Sequence, residues 1–282
     1  LNISTLASLD LDISVSNQLL FKGVGSIRSE SEITIGQGVT LSTTGVSGII
    51  LAASDVVNID SSLAAAELNI LGETFFNINA LWMQVDVVRI VGISVGEAVD
   101  SAVDTEITAG GIGDVVITAS STGVITTEVK SSFLGLAEVA ITGDGGAAGG
   151  VHIDLTNVIV DAGGSLLVEG TDTTQVTTSS MIATTTADAA VIVNVTDSTV
   201  TAGSDVTLGA LSTASYKATS TFVGTDKVQF SGPEFNFKAA SAINMVNGDI
   251  AVVVTRSAVD STAGSILVRA TDQRLLVSTT KA

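Results

Sequence analysis

The chain has no cysteine, one histidine, one proline, one tryptophan, one tyrosine, and only 11 lysines and arginines among its 282 residues. Each shortage excludes something. Without cysteine there are no disulfides and no thiolate metal sites. With His152 alone, no histidine pair can ligate a metal, and any Ser/His/Asp chemistry would have to pass through that one ring. Aromatics at 4% cannot build the girdles of an outer-membrane barrel. Although the mean hydropathy is +0.56, no run approaches the roughly 18 uninterrupted apolar residues of a membrane-spanning helix. Eleven basic against 29 acidic residues give a net charge of −18, which repels nucleic acid and anionic membrane surfaces. An initiator methionine and a secretory leader pattern are also missing, so the chain is expected to be an interior piece of something longer.

What is present is aliphatic, small and alternating. In TVTAGSDVTLGA, residues 199–210, Val200, Ala202, Val206, Leu208 and Ala210 fall on one face and Thr199, Thr201 and Thr207 on the other. Gly203, Ser204 and Asp205 form the corner between two short strands. Segment 150–170 lies over segment 190–210 without a gap, setting Val151 on Val191, Ile153 on Val193, Leu155 on Val195 and Val160 on Val200. A third copy spans 252–270, with Val254, Thr255, Ser257 and Val259 matching Val195, Thr196, Ser198 and Val200; a weaker fourth spans 101–119. The alanines before the corner glycines, Ala109, Ala162, Ala202 and Ala263, recur at wide and uneven intervals. These intervals read as two to three turns of a coil of about 20 residues with insertions. A strand-only unit with glycine corners, burying its apolar face by stacking on neighbours, predicts an all-β fold, a parallel β-helix or β-solenoid with irregular insertions.

Strand, corner, strand recurs toward the N-terminus as well. Leu9, Leu11, Ile13 and Val15 alternate with Asp10, Asp12 and Ser14; Ile33 to Leu41 turns at Gly36-Gln37-Gly38, and Ile49 to Ile59 at Ala53-Ser54-Asp55. Residues 63–71 have a brief helical look before strand patterning returns. Two stretches break the pattern and are expected to be insertions: 81–99, with Trp82 and Met83, and 216–238, with Pro233 and four of the eight phenylalanines. Residues 143–150, GDGGAAGG, read as a flexible turn. The whole of 1–282 is expected to be a single continuous solenoid.

GIILAASDVVNID, VIVDAGGSLLVEG and STVTAGSDVTLGA resemble the repeats of filamentous-haemagglutinin-type adhesins and other giant bacterial surface proteins. The resemblance implies a right-handed parallel β-helix and an extracellular or cell-surface setting. The family's motif is structural and carries no catalytic residues to transfer.

Candidate sites are weak. Gly110-Gly111-Ile112-Gly113-Asp114 and Gly143-Asp144-Gly145-Gly146 come near a calcium-binding glycine repeat, but neither recurs in tandem, so ordinary glycine corners are the preferred reading and structural calcium is the one cofactor left open. A polysaccharide-cleaving enzyme would need converging carboxylates, for which Asp10 and Asp12, or Asp154, Asp161, Glu169 and Asp172, are the nearest groupings; solvated outer positions explain them all. His152 alternates with Val151 and Ile153 and reads as a surface side chain on a strand. The phenylalanines 222, 230, 235 and 237 form either a lateral docking patch or the filling of their own bulged rung. Asn2 and Asn194 match the N-x-S/T acceptor pattern, as chance allows in so Ser/Thr-rich a chain.

The expected protein is therefore non-enzymatic, with no catalytic, cofactor or metal residues: a structural or adhesive β-solenoid segment of a large bacterial extracellular or cell-surface filament protein. Its partners would be further segments or copies of itself stacked end to end, with host-cell or matrix glycans as a second class, and neither nucleic acid nor a membrane interior. The rival readings are a β-helical polysaccharide-degrading enzyme and a β-sandwich repeat module, which would need closely spaced antiparallel hairpins along the whole chain.

Overall fold

Alternation sets the strands and the corner residues stop them. The structure, a computed structural model, describes residues 2–5, 9–11, 17–21, 25–29, 32–35, 39–43, 48–54, 56–59, 62–65, 68–80, 84–88, 90–96, 105–128, 136–142, 150–221, 227–228, 235–236 and 241–281. Among them there is no helix, and every strand pair but one is parallel. Of residues 63–71, with their helical look, those described belong to the strands Ser62–Ala65 and Leu68–Ala80, and residues 66–67 lie outside the described residues.

The chain visits three sheets in a fixed order and then lands on itself. Leu9–Leu11 opens sheet B, Asn17–Phe21 opens sheet C, and Gly25–Ser29 lies in sheet A; the next turn repeats this with Glu32–Ile35, Val39–Thr43 and Ile49–Ala53. Each strand pairs in parallel with its counterpart one turn earlier. Seven strands stack this way in sheets B and C, so the described residues form a parallel β-helix of seven turns. The inward columns explain its stability: Ile27, Leu51, Ile70, Ile117, Val168 and Leu208 lie one above another in sheet A, all 0–1% exposed. Each such side chain contributes about 1.5–3 kcal/mol of burial before the entropy of ordering the chain is subtracted.

The turns are not uniform. Stacked residues in sheet A are 24 apart at first (Ser26 on Asn2, Ile50 on Ser26), then 19 (Leu68 on Ile49), 47 (Val115 on Leu68), 51 (Leu166 on Val115), 40 (Val206 on Leu166) and 60 (Ile266 on Val206). The gapless repeat is thus one wide turn, and the short coil expected from the sequence fits only the narrow N-terminal turns. The width comes from a lateral lobe. A fourth sheet, D, runs through Gln84–Val88, Leu136–Thr142, Ile182–Asp188 and Ser241–Asn247. It faces an extension of sheet A, supplied first by the long strands Leu68–Ala80 and Val115–Glu128 and later by Gln175–Ser180, Ser215–Thr221 and Leu275–Lys281. Between them sits a second core of Ile125, Val139, Ile141, Val176, Ala187, Ala189, Ala214 and Tyr216. Buried hydroxyls share this lobe, Thr178 bonding Thr185 at 3.0 Å.

The gapless match of 150–170 to 190–210 is the structural register: Val151 on Val191, Ile153 on Val193, Val160 on Val200 and Ala162 on Ala202. The third copy also stacks as expected at Val254, Thr255 and Val259, but Ser261, not Ala263, occupies the place above Ala202. Its corner carries one extra residue, because the spacing is 59 at Ala202 and 60 at Val206. Residues 81–99 contain two regular rungs, Gln84–Val88 and Ile90–Val95, the first of which founds sheet D. Of 216–238, the first residues belong to the regular strand Ser215–Thr221, and Tyr216 is the largest fully buried side chain among the described residues. The rest yields the lone antiparallel pair, Lys227–Val228 with Phe235–Asn236. Ile13, Val15, Trp82, residues 143–149, Phe222, Phe230, Pro233 and Phe237 lie outside the described residues.

Candidate functional site

Among the described residues, polar side chains at the corners tie one turn to the next. After sheet B the backbone takes a left-handed residue in three successive turns, Asn157, Asp197 and Arg256, with φ of 53°, 50° and 48°. A serine follows in the upper two. The Ser198 hydroxyl accepts the buried Val158 N–H at 3.1 Å, and the Ser257 hydroxyl accepts the Ser198 N–H at 3.0 Å. Before sheet A, aspartates do the same work: Asp114 accepts the Ser165 N–H at 2.7 Å, and Asp205 accepts the Ser265 N–H at 2.8 Å and its hydroxyl at 2.9 Å. The Ser265 backbone N–H, then its hydroxyl, hold the Asp205 carboxyl below the usual carboxylate range. Asp114 of the near-calcium motif is therefore engaged in a corner bond.

The acids grouped by sequence are dispersed by the fold. Asp154 points outward on sheet B and accepts the Asn194 side-chain amide at 2.7 Å, which engages the nitrogen of that N-x-T match. Asp161 is exposed on sheet C, and Glu169 points outward on sheet A and bonds Arg269 at 2.8 Å, across Gly209 of the intervening turn. Asp172 is fully buried, accepting the Thr174 hydroxyl at 2.6 Å and amide at 3.1 Å. Asp154 and Asp161 sit on different sheets, and Glu169 and Asp172 on opposite faces of one strand, so no carboxylate pair is assembled from them. Asp10 lies in the first sheet B strand, and Asp12 outside the described residues. His152 is half-buried with its strand between Gly92 and Ile192, and its covered Nε2 has no hydrogen-bond partner among the described residues. Among the described residues no cluster of three or more His, Asp or Glu is placed to hold a metal.

The feature that stands out lies in the last turn, residues 241–281. Its inward residues Val254, Ile266, Val268 and Leu276 are 40–49% exposed, whereas Val195, Val206, Leu208 and Tyr216 directly beneath them are at 0%. Among the described residues no further turn lies over this one, so its inward side is exposed. The outward side of the same turn is also apolar. Ile243 and Met245 stand over Thr184 and Thr186, Val253 over Asn194, Leu267 over Thr207 and Leu275 over Ser215. These five are 43–56% exposed. Meanwhile the arginines of this turn are turned to acids. Arg256 bonds both carboxylate oxygens of Asp197 at 2.6 Å, Arg269 reaches Glu169, and Arg274 bonds Asp272 at 2.6 Å. The Arg256 guanidinium holds Asp197 below its ordinary range, and the Arg274 guanidinium does the same to Asp272.

Sequence reading missed this outward row. Its signal is present, since five Thr, Asn or Ser positions of one turn become Ile, Met, Val or Leu in the next, but it shows only when the turns are aligned across the insertion between 221 and 241.

Comparison of the chain with protein-family models, with curated proteins and with solved structures finds no match in any of the three.

Proposed function

We propose that this chain is a structural or adhesive β-solenoid segment of a large bacterial extracellular or cell-surface filament, with the stack itself as the functional object. The observation that carries the reading is the continuous apolar column that runs through the stacked turns. Eight strands follow one another in the main path of sheet A, so seven spacings of about 4.8 Å make a stack roughly 34 Å tall. This stretch is then one short block of a longer stack, continued by further segments or copies of the same protein. The corner bonds favour this role because they commit hydroxyls and carboxylates to turn-to-turn cohesion. The resemblance of residues 48–60, 158–170 and 198–210 to adhesin repeats supplies the bacterial surface setting and makes host-cell or matrix glycans the second class of partner. Light scattering of the isolated chain at rising concentration and salt tests the reading. End-to-end association is expected, and a monodisperse monomer throughout would contradict it.

A further inference from the structure

The main core and the lateral core meet at a neck, where the inward residues of sheet A are polar. Asp172, Ser212 and Asp272 stack one above another in successive turns. Two residues further along each strand, Thr174, Ala214 and Arg274 stack in the same way. Asp172, Thr174, Ser212 and Ala214 are all at 0% exposure.

In two of these three turns the pair closes on itself. Asp172 accepts the Thr174 hydroxyl at 2.6 Å, and Asp272 accepts Arg274 Nε at 2.9 Å and Nη2 at 2.6 Å. The middle turn breaks the pattern, because Ala214 brings no polar group to Ser212. The Ser212 hydroxyl is covered and has no hydrogen-bond partner among the described residues. A buried hydroxyl in that state bears its full desolvation cost, so a partner for it is worth more there than at the surface.

The surroundings of Ser212 are those of a hydrated site. Beneath it stands the Asp172 carboxylate, a strong acceptor. Above it Arg274 crosses the neck, its Nη1 reaching the carbonyl oxygens of Gly248 at 3.1 Å and Ala189 at 3.5 Å on the facing wall. A guanidinium carries five N–H groups. Asp272 takes those of Nε and one of Nη2, and the two carbonyls take those of Nη1, which leaves the second N–H of Nη2 to donate elsewhere. Asp272 chiefly, and Tyr216 and Asp172 by their proximity, hold the guanidinium above its ordinary range, so Arg274 and Asp172 lie within electrostatic reach of each other. Relative to Thr174 one turn below, Ala214 lacks a hydroxyl and gains a hydrogen in place of a methyl, a difference of about the bulk of one water molecule.

We infer that the neck binds one structural water at the level of Ser212, between Asp172 and Arg274. It donates to the Asp172 carboxylate and accepts from the Ser212 hydroxyl and from Nη2 of Arg274, within the range of about 2–4 polar partners that hold a buried water. The water takes the part that the Thr174 hydroxyl plays one turn below, and it seams the lobe to the main core where Ala214 offers nothing. A metal ion is the poorer occupant, because Arg274 already brings a positive charge to Asp172.

The test uses the full chain and two variants, each verified as folded by circular dichroism. Ala214→Thr introduces the residue that already stands below it in the same column, and its hydroxyl replaces the water. Ser212→Ala removes one of the water's partners. Magnetic relaxation dispersion of the water oxygen, which counts waters held longer than the molecule takes to tumble, is expected to show one fewer in Ala214→Thr than in the parent. Melting temperature is expected to fall in Ser212→Ala, since a satisfied hydroxyl is lost, whereas deleting an unsatisfied one raises it. An equal water count in the parent and a folded Ala214→Thr overturns the site, and so does an unchanged or raised melting temperature for Ser212→Ala. Should Ala214→Thr fail to fold, the sign of the Ser212→Ala shift decides alone. A melting temperature that rises with sodium or calcium, but not with choline at equal ionic strength, in the parent and not in Ala214→Thr makes the occupant a metal ion and overturns the water.

Discussion

Val206 and Thr207 are neighbours in the chain and face opposite sides of the wall, so they allow a sharp test of the core. Val206 is fully buried in the column Val115, Leu166, Val206, Ile266, and no cation belongs to that column. Val206→Asp removes about 1.5–3 kcal/mol of apolar burial. It also places a carboxylate in an apolar column, at several kcal/mol more whether the group ionises or is forced to take up a proton. The sum reaches or exceeds about 5 kcal/mol, a large part of the roughly 5–15 kcal/mol that holds a domain together. Val206→Thr keeps the shape and buries only a hydroxyl, for about 1–3 kcal/mol, so it remains folded and measurable. Thr207→Asp, half-buried and outward between Leu167 and Leu267, should stay within about 0.5 kcal/mol of the parent. In thermal melts followed by circular dichroism, a chain of this size shifts by roughly 2–4 °C per kcal/mol. Because each turn contacts chiefly its neighbours, hydrogen exchange should show the loss concentrated in the last two turns. A larger melting loss for Thr207→Asp than for Val206→Thr would refute the face assignment.

Three other expectations follow from the corners. A Cβ at Gly203 would lie 2.0 Å from the Gly163 carbonyl oxygen of the turn below, so Gly203→Ala should pry the stacked corners apart and cost on the order of 1–3 kcal/mol in a denaturant titration. Ser198→Ala strips the buried Val158 N–H of its acceptor and should cost about 1–3 kcal/mol, while Thr199→Ala, exposed beside it, should cost far less; equal losses would mean the serine ladder contributes nothing. Asp197, Asp205 and Asp272 all have folded-state pKa values below their ordinary ones, so their contribution is present above the unfolded carboxylate value of about 4 and is lost as pH falls through the lower folded values. Melting temperature should therefore fall below about pH 4, and less steeply in Asp205→Asn; an unchanged slope would count against the corner bonds.

Much of this was legible in the sequence because strand alternation and gapless repetition are both one-dimensional signals. Val151 over Val191 and Val200 over Val259 needed no structure. The width of the turns was hidden for a physical reason: alternation tells which face a residue takes but not which strand lies next to it, so the same repeat reads equally as one turn or two. The lobe was hidden by its own interior, where Thr178, Thr185, Ala218 and Ser220 are buried yet look like surface residues in the sequence. Tyr216 was assigned to an insertion because a lone aromatic beside irregular sequence gives no sign of pointing into a second core. The corner of the third copy was misaligned because Ala263 mimics Ala202 in type while the extra residue shifts Ser261 into its place.

The most direct measurement of the stacking takes advantage of a chain that has no cysteine of its own. Asp161 and Thr201 are register partners on the outer face of sheet C, and Asp260 is the partner of Thr201 one turn further on. Adjacent strands place Cα atoms about 4.8 Å apart and strands two turns apart about 9.6 Å, whereas a disulfide needs roughly 4.4–6.8 Å. Oxidation of the double variant Asp161→Cys with Thr201→Cys should close an intramolecular disulfide without loss of structure, and Asp161→Cys with Asp260→Cys should remain reduced. If the first pair stays open while the chain is folded, a further strand lies between positions 161 and 201, and the gapless repeat is not a single turn.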